Sequence, residues 1–193
     1  MPIFDDASHV NDSDDPTVTA WLTAVQRPEV SVAMEQIEQD LQEQIDALQP
    51  VCLASGRCCQ FREFGHRLYT TGLETVYCLR RLAMAKRLPG RDRLSRAQQI
   101  QQDQGGCMFL GRSHECTIHA VRPFGCRLFY CDRSKAGEVS DLHERVHRRI
   151  AALHDAFEIE YEYAEWSYLL SRCSAAWPFL EDPASNLTPR PNE

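Results

Sequence analysis

Apolar residues recur at helical spacing over most of the middle of the chain. Met34, Ile37, Leu41, Ile45 and Leu48 fall every three to four positions, one face of a helix over about 29–48. Pro28 suits its first turn and Pro50 its end. Thr71 followed by Glu74 reads as a capping box opening a helix that runs to about residue 88, where Pro89-Gly90 stops it. Asp92 then starts a shorter, Gln-rich helix. Ser140 is the expected cap of a helix whose stripe is Leu142, Val146, Ile150, Leu153 and Phe157. The pattern then changes period. Ile159, Tyr161 and Tyr163 alternate with Glu160 and Glu162, the signature of a short half-buried strand. From 165 to 173 the spacing is helical again, with Trp166, Leu169 and Leu170 inward.

Two stretches, 51–66 and 105–133, keep neither period, and they hold most of the cysteines. The expected fold is mainly α: helices around an irregular cysteine-rich metal-binding module, with one or two short β-strands. The expected organisation is an acidic disordered tail over 1–16, a single helical domain over 17–180 with the cysteine module at about 52–131, and a second disordered tail over 181–193. Cys107 and Cys116 are expected to pair as a small hairpin across Gly111-Arg112-Ser113.

Composition narrows the setting. Of the 193 residues, 43% are hydrophobic, which favours a packed domain over disorder. No apolar run approaches the roughly 20 residues that span a bilayer, so no membrane association is expected. The first residues are acidic and resemble no signal peptide, which points to a reducing, cytoplasmic location. There nine cysteines imply metal or redox chemistry rather than disulfides; the count is odd, and Cys58 and Cys59 are neighbours. The net charge of −7 is unevenly spread: residues 57–96 carry ten Lys or Arg against three acids. No aromatic residues interleave with the basic run of Arg80, Arg81, Lys86, Arg87, Arg91, Arg93 and Arg96 to stack bases. It reads as the solvated faces of two helices rather than a nucleic-acid surface.

The candidate ligands are Cys52, Cys58, Cys59, Cys107, Cys116, Cys126 and Cys131. Thiolates are soft donors that suit Zn²⁺ or an iron–sulfur cluster and suit Mg²⁺ or Ca²⁺ poorly. Four complete a zinc site or one cubane, so seven leave a surplus. Cys78 and Cys173 lie in expected helices and read as packing residues. Arg57, Arg112, Arg122 and Arg127 lie near the cysteines in sequence, where guanidinium charge offsets thiolate charge.

Cys52-x5-Cys58-Cys59, then Gly106-Cys107-Met108-Phe109-Leu110, then Cys116-Thr117-Ile118-His119-x-x-Arg122-Pro123-x-x-Cys126-Arg127-x-Phe129 resembles the YkgJ-type cysteine-cluster family. The resemblance covers residues 52–131. It implies a zinc- or iron-chelating domain, and with the thiolate number it sets iron–sulfur ahead of zinc. Ser55 stands where the family has a further cysteine, and His119 where it usually has tyrosine. His119 is three residues past Cys116 and is a weaker candidate nitrogen ligand.

Two functional classes accompany this reading. In one, the cluster supports redox chemistry on a protein partner. In the other, His143-Glu144-x-x-His147 on the expected helix is a zinc hydrolase site, with two imidazoles as ligands and Glu144 as base. Arg145, Arg148 and Arg149 beside that motif disfavour a second cationic centre. There is no Gly-rich phosphate loop or dinucleotide fingerprint.

Overall fold

The computed structural model describes residues 15–85 and 105–173. Among them are seven α-helices and two short strands: α1 Pro16–Ala24, α2 Pro28–Leu48, α3 Phe61–Phe64, β1 Tyr69–Thr71, α4 Gly72–Met84, α5 Phe124–Arg127, α6 Ala136–Ala156, β2 Tyr163–Glu165 and α7 Trp166–Cys173. The protein is mainly helical with a small antiparallel sheet, as its sequence pattern implies. The Gln-rich helix expected after Asp92, residues 86–88 of the α4 pattern, the C-terminal tail and residues 1–14 of the N-terminal one lie outside the described residues; Asp15 and Pro16, expected in that tail, instead begin α1.

α1 was not expected, because Val18, Trp21 and Leu22 are too few to establish a period. Its start is built from Asp15, which accepts from the backbone N–H groups of Thr17 (3.0 Å) and Val18 (3.3 Å), followed by Pro16 in the first turn. Trp21 is fully buried, and its indole N–H donates to the Glu160 carbonyl at 2.8 Å. Gly72 lies directly under that ring, so any side chain there would collide with it.

α4 carries the capping box as read: Thr71 accepts from the Glu74 amide at 3.2 Å, and Glu74 accepts from the Thr71 amide at 2.8 Å. The Glu74 carboxylate also accepts from the Phe124 amide at 3.2 Å, joining α4 to α5. α2 packs on α6, and α1 and α7 pack on α4. Met34, Leu41, Leu79, Leu142, Ile150 and Leu169 are among the residues that fill the space between them.

Three local expectations need correction. α6 starts at Ala136, so Ser140 lies inside it and caps nothing; Lys135 holds the cap position with no side-chain bond. Gly137 in the first turn and the missing cap hide that start in the sequence. The strand expected over 159–163 is displaced: β2 runs Tyr163–Glu165, and only Tyr163 is shared. Ile159 is buried, but Tyr161 and Tyr163 are exposed, since Tyr161 bonds to His147 and Tyr163 lies against the same ring. Its partner β1, unforeseen, is only three residues long, with Tyr69 opposite Glu165 and Thr71 opposite Tyr163. Finally, Arg80 and Arg81 are tethers rather than a solvated face: Arg80 donates to the Val25 carbonyl, and Arg81 pairs with Glu38.

No helix among the described residues is long and apolar enough to cross a membrane.

Candidate metal centre

The first cysteine loop leaves α2 through Gln49 in the left-handed region. It turns at Gly56, whose φ of +69° and close approach to the His114 carbonyl both exclude a side chain. A 3₁₀ turn, Arg57–Cys59, then carries the vicinal cysteines. The second loop lies against it: the Cys107 amide donates to the Cys59 carbonyl at 2.6 Å, and the Arg62 amide to the Gly105 carbonyl at 3.0 Å. Beyond Cys107 the chain folds back. The Thr117 amide donates to the Phe109 carbonyl at 2.9 Å and the Gly111 amide to the Glu115 carbonyl at 2.7 Å, with one antiparallel bridge between Leu110 and Cys116. This tight turn answers the expected hairpin and delivers Cys116 beside Cys107.

Four thiols meet in consequence. The Cys59 thiol lies beside the thiols of Cys58, Cys107 and Cys116 and perturbs the titration of each. Those contacts push the Cys59 thiol up and bring its neighbours down. The bond from Cys59 is the main cause that lowers Cys58 to about 7 and Cys116 to about 6, against the opposing effect of burial, and Arg122 adds to both. Cys107 is lowered by the same Cys59 contact, with help from the Phe109 amide and the Trp166 indole. Trp166 Nε1 is buried and makes no full hydrogen bond, so its N–H is left to the sulfur.

The remaining cysteines divide. Cys126 and Cys78 lie behind Cys107, and each is raised mainly by burial with a contribution from Cys107. Cys78 is buried in α4, as its sequence context implies, yet its field reaches the cluster. The sequence signal for that proximity was absent, because it depends on how α4 docks. Cys131 lies apart, with its sulfur 3.7 Å from Ser55 Oγ, and Cys52 is exposed on the loop surface. Cys173 is fully buried, and burial raises its thiol to about 12.

Of the four nearby arginines, Arg122 bears on the thiols of Cys58 and Cys116; its Nε is buried without a partner. Arg57 lies over the Phe64 ring at 5.0 Å, Arg112 is exposed, and Arg127 pairs with Glu38. His119 is largely exposed, and the partial burial of its ring, with Arg122 and Arg127, holds its pKa low.

The thiols are gathered but not disposed as ligands. Among the described residues no group of three or more His, Cys, Asp or Glu has the arrangement to hold a metal ion. The donor set itself suits a soft metal: four sulfurs from two loops, with no carboxylate among them.

His143 and His147 stand one turn apart on α6 with their rings 6.2 Å between centroids. Tyr161 OH lies 2.6 Å from His147 Nε2 and occupies that nitrogen. Glu144 is exposed, and Arg149 is turned away to Asp40 at 2.7 Å. Compared with family models, curated proteins and solved structures, the chain matches none.

Proposed function

We propose that the protein is a metal-chelating protein that binds an iron–sulfur cluster, or in second place zinc, through Cys58, Cys59, Cys107 and Cys116. The observation that carries this is the nearness of one thiol to three others, drawn from two loops nearly 50 residues apart in sequence. Gathering four partly buried ionisable thiols has no packing advantage over apolar residues, and their mutual repulsion as thiolates asks for a cation at the centre. The YkgJ-type pattern of spacing supports the same reading. Ser55, beside Cys131, leaves that outer position a poor soft-metal ligand.

In this reading the bound metal supplies a structural clamp or an electron-transfer centre. The chain's own residues set its surroundings. Arg122 offsets thiolate charge, the buried Trp166 indole N–H lies near Cys107 and lowers its thiol, and the buried face of α4 backs the inner side. A cytoplasmic location and service to a protein partner belong to the same proposal. Anaerobic purification followed by metal analysis and a visible spectrum tests it. Sulfur-to-iron charge-transfer absorption is the expected result, and stoichiometric zinc without colour selects the second metal. Purified protein with neither iron nor zinc, unable to take up either on anaerobic addition, overturns the proposal.

A further inference from the structure

A cleft of about 1030 Å³ opens between α3, the β1–β2 sheet and α7, behind the turn that carries Cys58 and Cys59. Its volume is at the upper end of the range for small-molecule sites. Three features of its wall point to a ligand. Arg67 is 63% exposed, and one arm of its guanidinium is fixed by Glu165 in β2. The fork is thus positioned while the other N–H groups face solvent, the arrangement that recognises carboxylate or phosphate. The hydroxyls of Ser167 and Ser171, one turn apart on α7, lie on the same wall. Tyr69 and Tyr168 also line the cleft with 43% and 51% of their surface exposed. Tyr168 is backed by Arg172 at 5.7 Å, which holds the ring in place. Exposed, braced rings beside a fixed guanidinium suit a planar aromatic group that carries an anion.

We infer that this cleft binds a small aromatic anion: a planar ring stacked on Tyr168 or Tyr69, with its carboxylate or phosphate on Arg67 and Ser167. The inference does not depend on what the thiols hold, because no cysteine lines the cleft. The far wall does touch the cysteine loop. His66 lines the cleft, lies 3.3 Å through Nε2 from the Cys58 carbonyl and stacks on Phe129 at 4.5 Å.

Calorimetric titration of the full chain with adenosine 5′-monophosphate, benzoate and inorganic phosphate tests it, on protein as purified and after chelation. The expected result is saturable binding of at least one aromatic anion, in both preparations, and tighter than that of inorganic phosphate. Preference for the nucleotide or for benzoate then identifies the phosphate or the carboxylate as the head group. Arg67→Gln and Tyr168→Ala change exposed side chains and should keep the melting temperature. Each should weaken that binding about tenfold or more, which is about 1.4 kcal/mol. Three results would overturn the inference: no saturable binding of either aromatic anion, inorganic phosphate binding as tightly as both, or unchanged affinity in both variants.

Discussion

At the residue scale, the seven loop cysteines separate by environment in a way that spacing does not reveal. Cys58 and Cys59 are adjacent, and both join the inner group of thiols; Cys52, in the same loop, is exposed. Replacing Cys58 and Cys59 together by Ser should remove most bound metal, whereas Cys52→Ser and Cys173→Ala should leave it in place. Metal analysis of the three variants decides this, and retention of a full complement by the double variant would show that the ligands lie elsewhere. His154 makes a second residue-scale case. It is 1% exposed. Its Nδ1 is 3.2 Å from the Ile159 carbonyl and 3.1 Å from that of Glu160, so that nitrogen carries the proton and donates; Nε2 is buried without a partner. Burial lowers its pKa from the usual 6.5. The unfolded chain therefore binds the proton more readily than the folded one. Stability should be complete above about pH 6.5 and fall as the pH drops below it, by up to about 1.4 kcal/mol per pH unit. Denaturant melts between pH 7 and pH 5 measure that slope, and His154→Leu should flatten it even though the variant is less stable overall.

At the element scale, long periodic helices were legible and short elements were not. α2 and the stripe of α6 repeat their apolar positions over several turns, so tertiary packing only confirms what the period demands. α1 and β1 are nine and three residues long, too short to show a period. The Asp15-Pro16 start was assigned to the disordered tail over 1–16, although a capping residue followed by proline is itself a helix-start signal. What no sequence pattern discloses is which elements touch. Glu38 on α2 illustrates this. It pairs with Arg81 on α4 and with buried Arg127 on α5, which also donates to the carbonyls of Ala120 (2.7 Å) and Arg122 (3.0 Å). Glu38→Gln should leave the Arg127 charge without its carboxylate and cost about 3 kcal/mol, the penalty for breaking a buried pair from one side. Chemical denaturation measures it, and a change under about 1 kcal/mol would place that pair among solvent-screened ones. The His143–His147 face of α6 invites the opposite expectation. Leu142, Val146 and Ile150 hold the helix to the core, and Tyr161 occupies His147. Replacing both histidines by Gln should preserve metal stoichiometry and cost little stability. Loss of one zinc per chain, with loss of peptide hydrolysis, would instead establish the hydrolase.

At the scale of the whole molecule, the helices and the cysteine loops are stabilised by different means. The helical body has a continuous apolar core from Trp21 to Leu170. The cysteine loops join that core only in part: Phe61, Phe109, Ile118, Phe124 and Leu128 are buried in it, whereas Val51 and Leu53 are exposed, and backbone hydrogen bonds such as Cys107 to Cys59 and Arg62 to Gly105 link the two segments. Two segments far apart in sequence are thus brought together, and the stretches around their thiols are only partly buried to offset the entropy of ordering them. A metal held by thiols from both would add a further term, because thiolate sites form only in the folded chain and their binding free energy becomes folding free energy, on the order of 10 kcal/mol. Chelation should therefore act unevenly. The melting temperature should fall, and hydrogen exchange should rise first in 52–66 and 105–131, while α2, α4 and α6 stay protected until the body unfolds. Exchange followed by mass spectrometry, with and without a chelator, distinguishes this from a purely packed loop. Equal protection of those segments in both states would mean that hydrogen bonds and packing suffice to hold them, and the metal would then have no structural part in the fold.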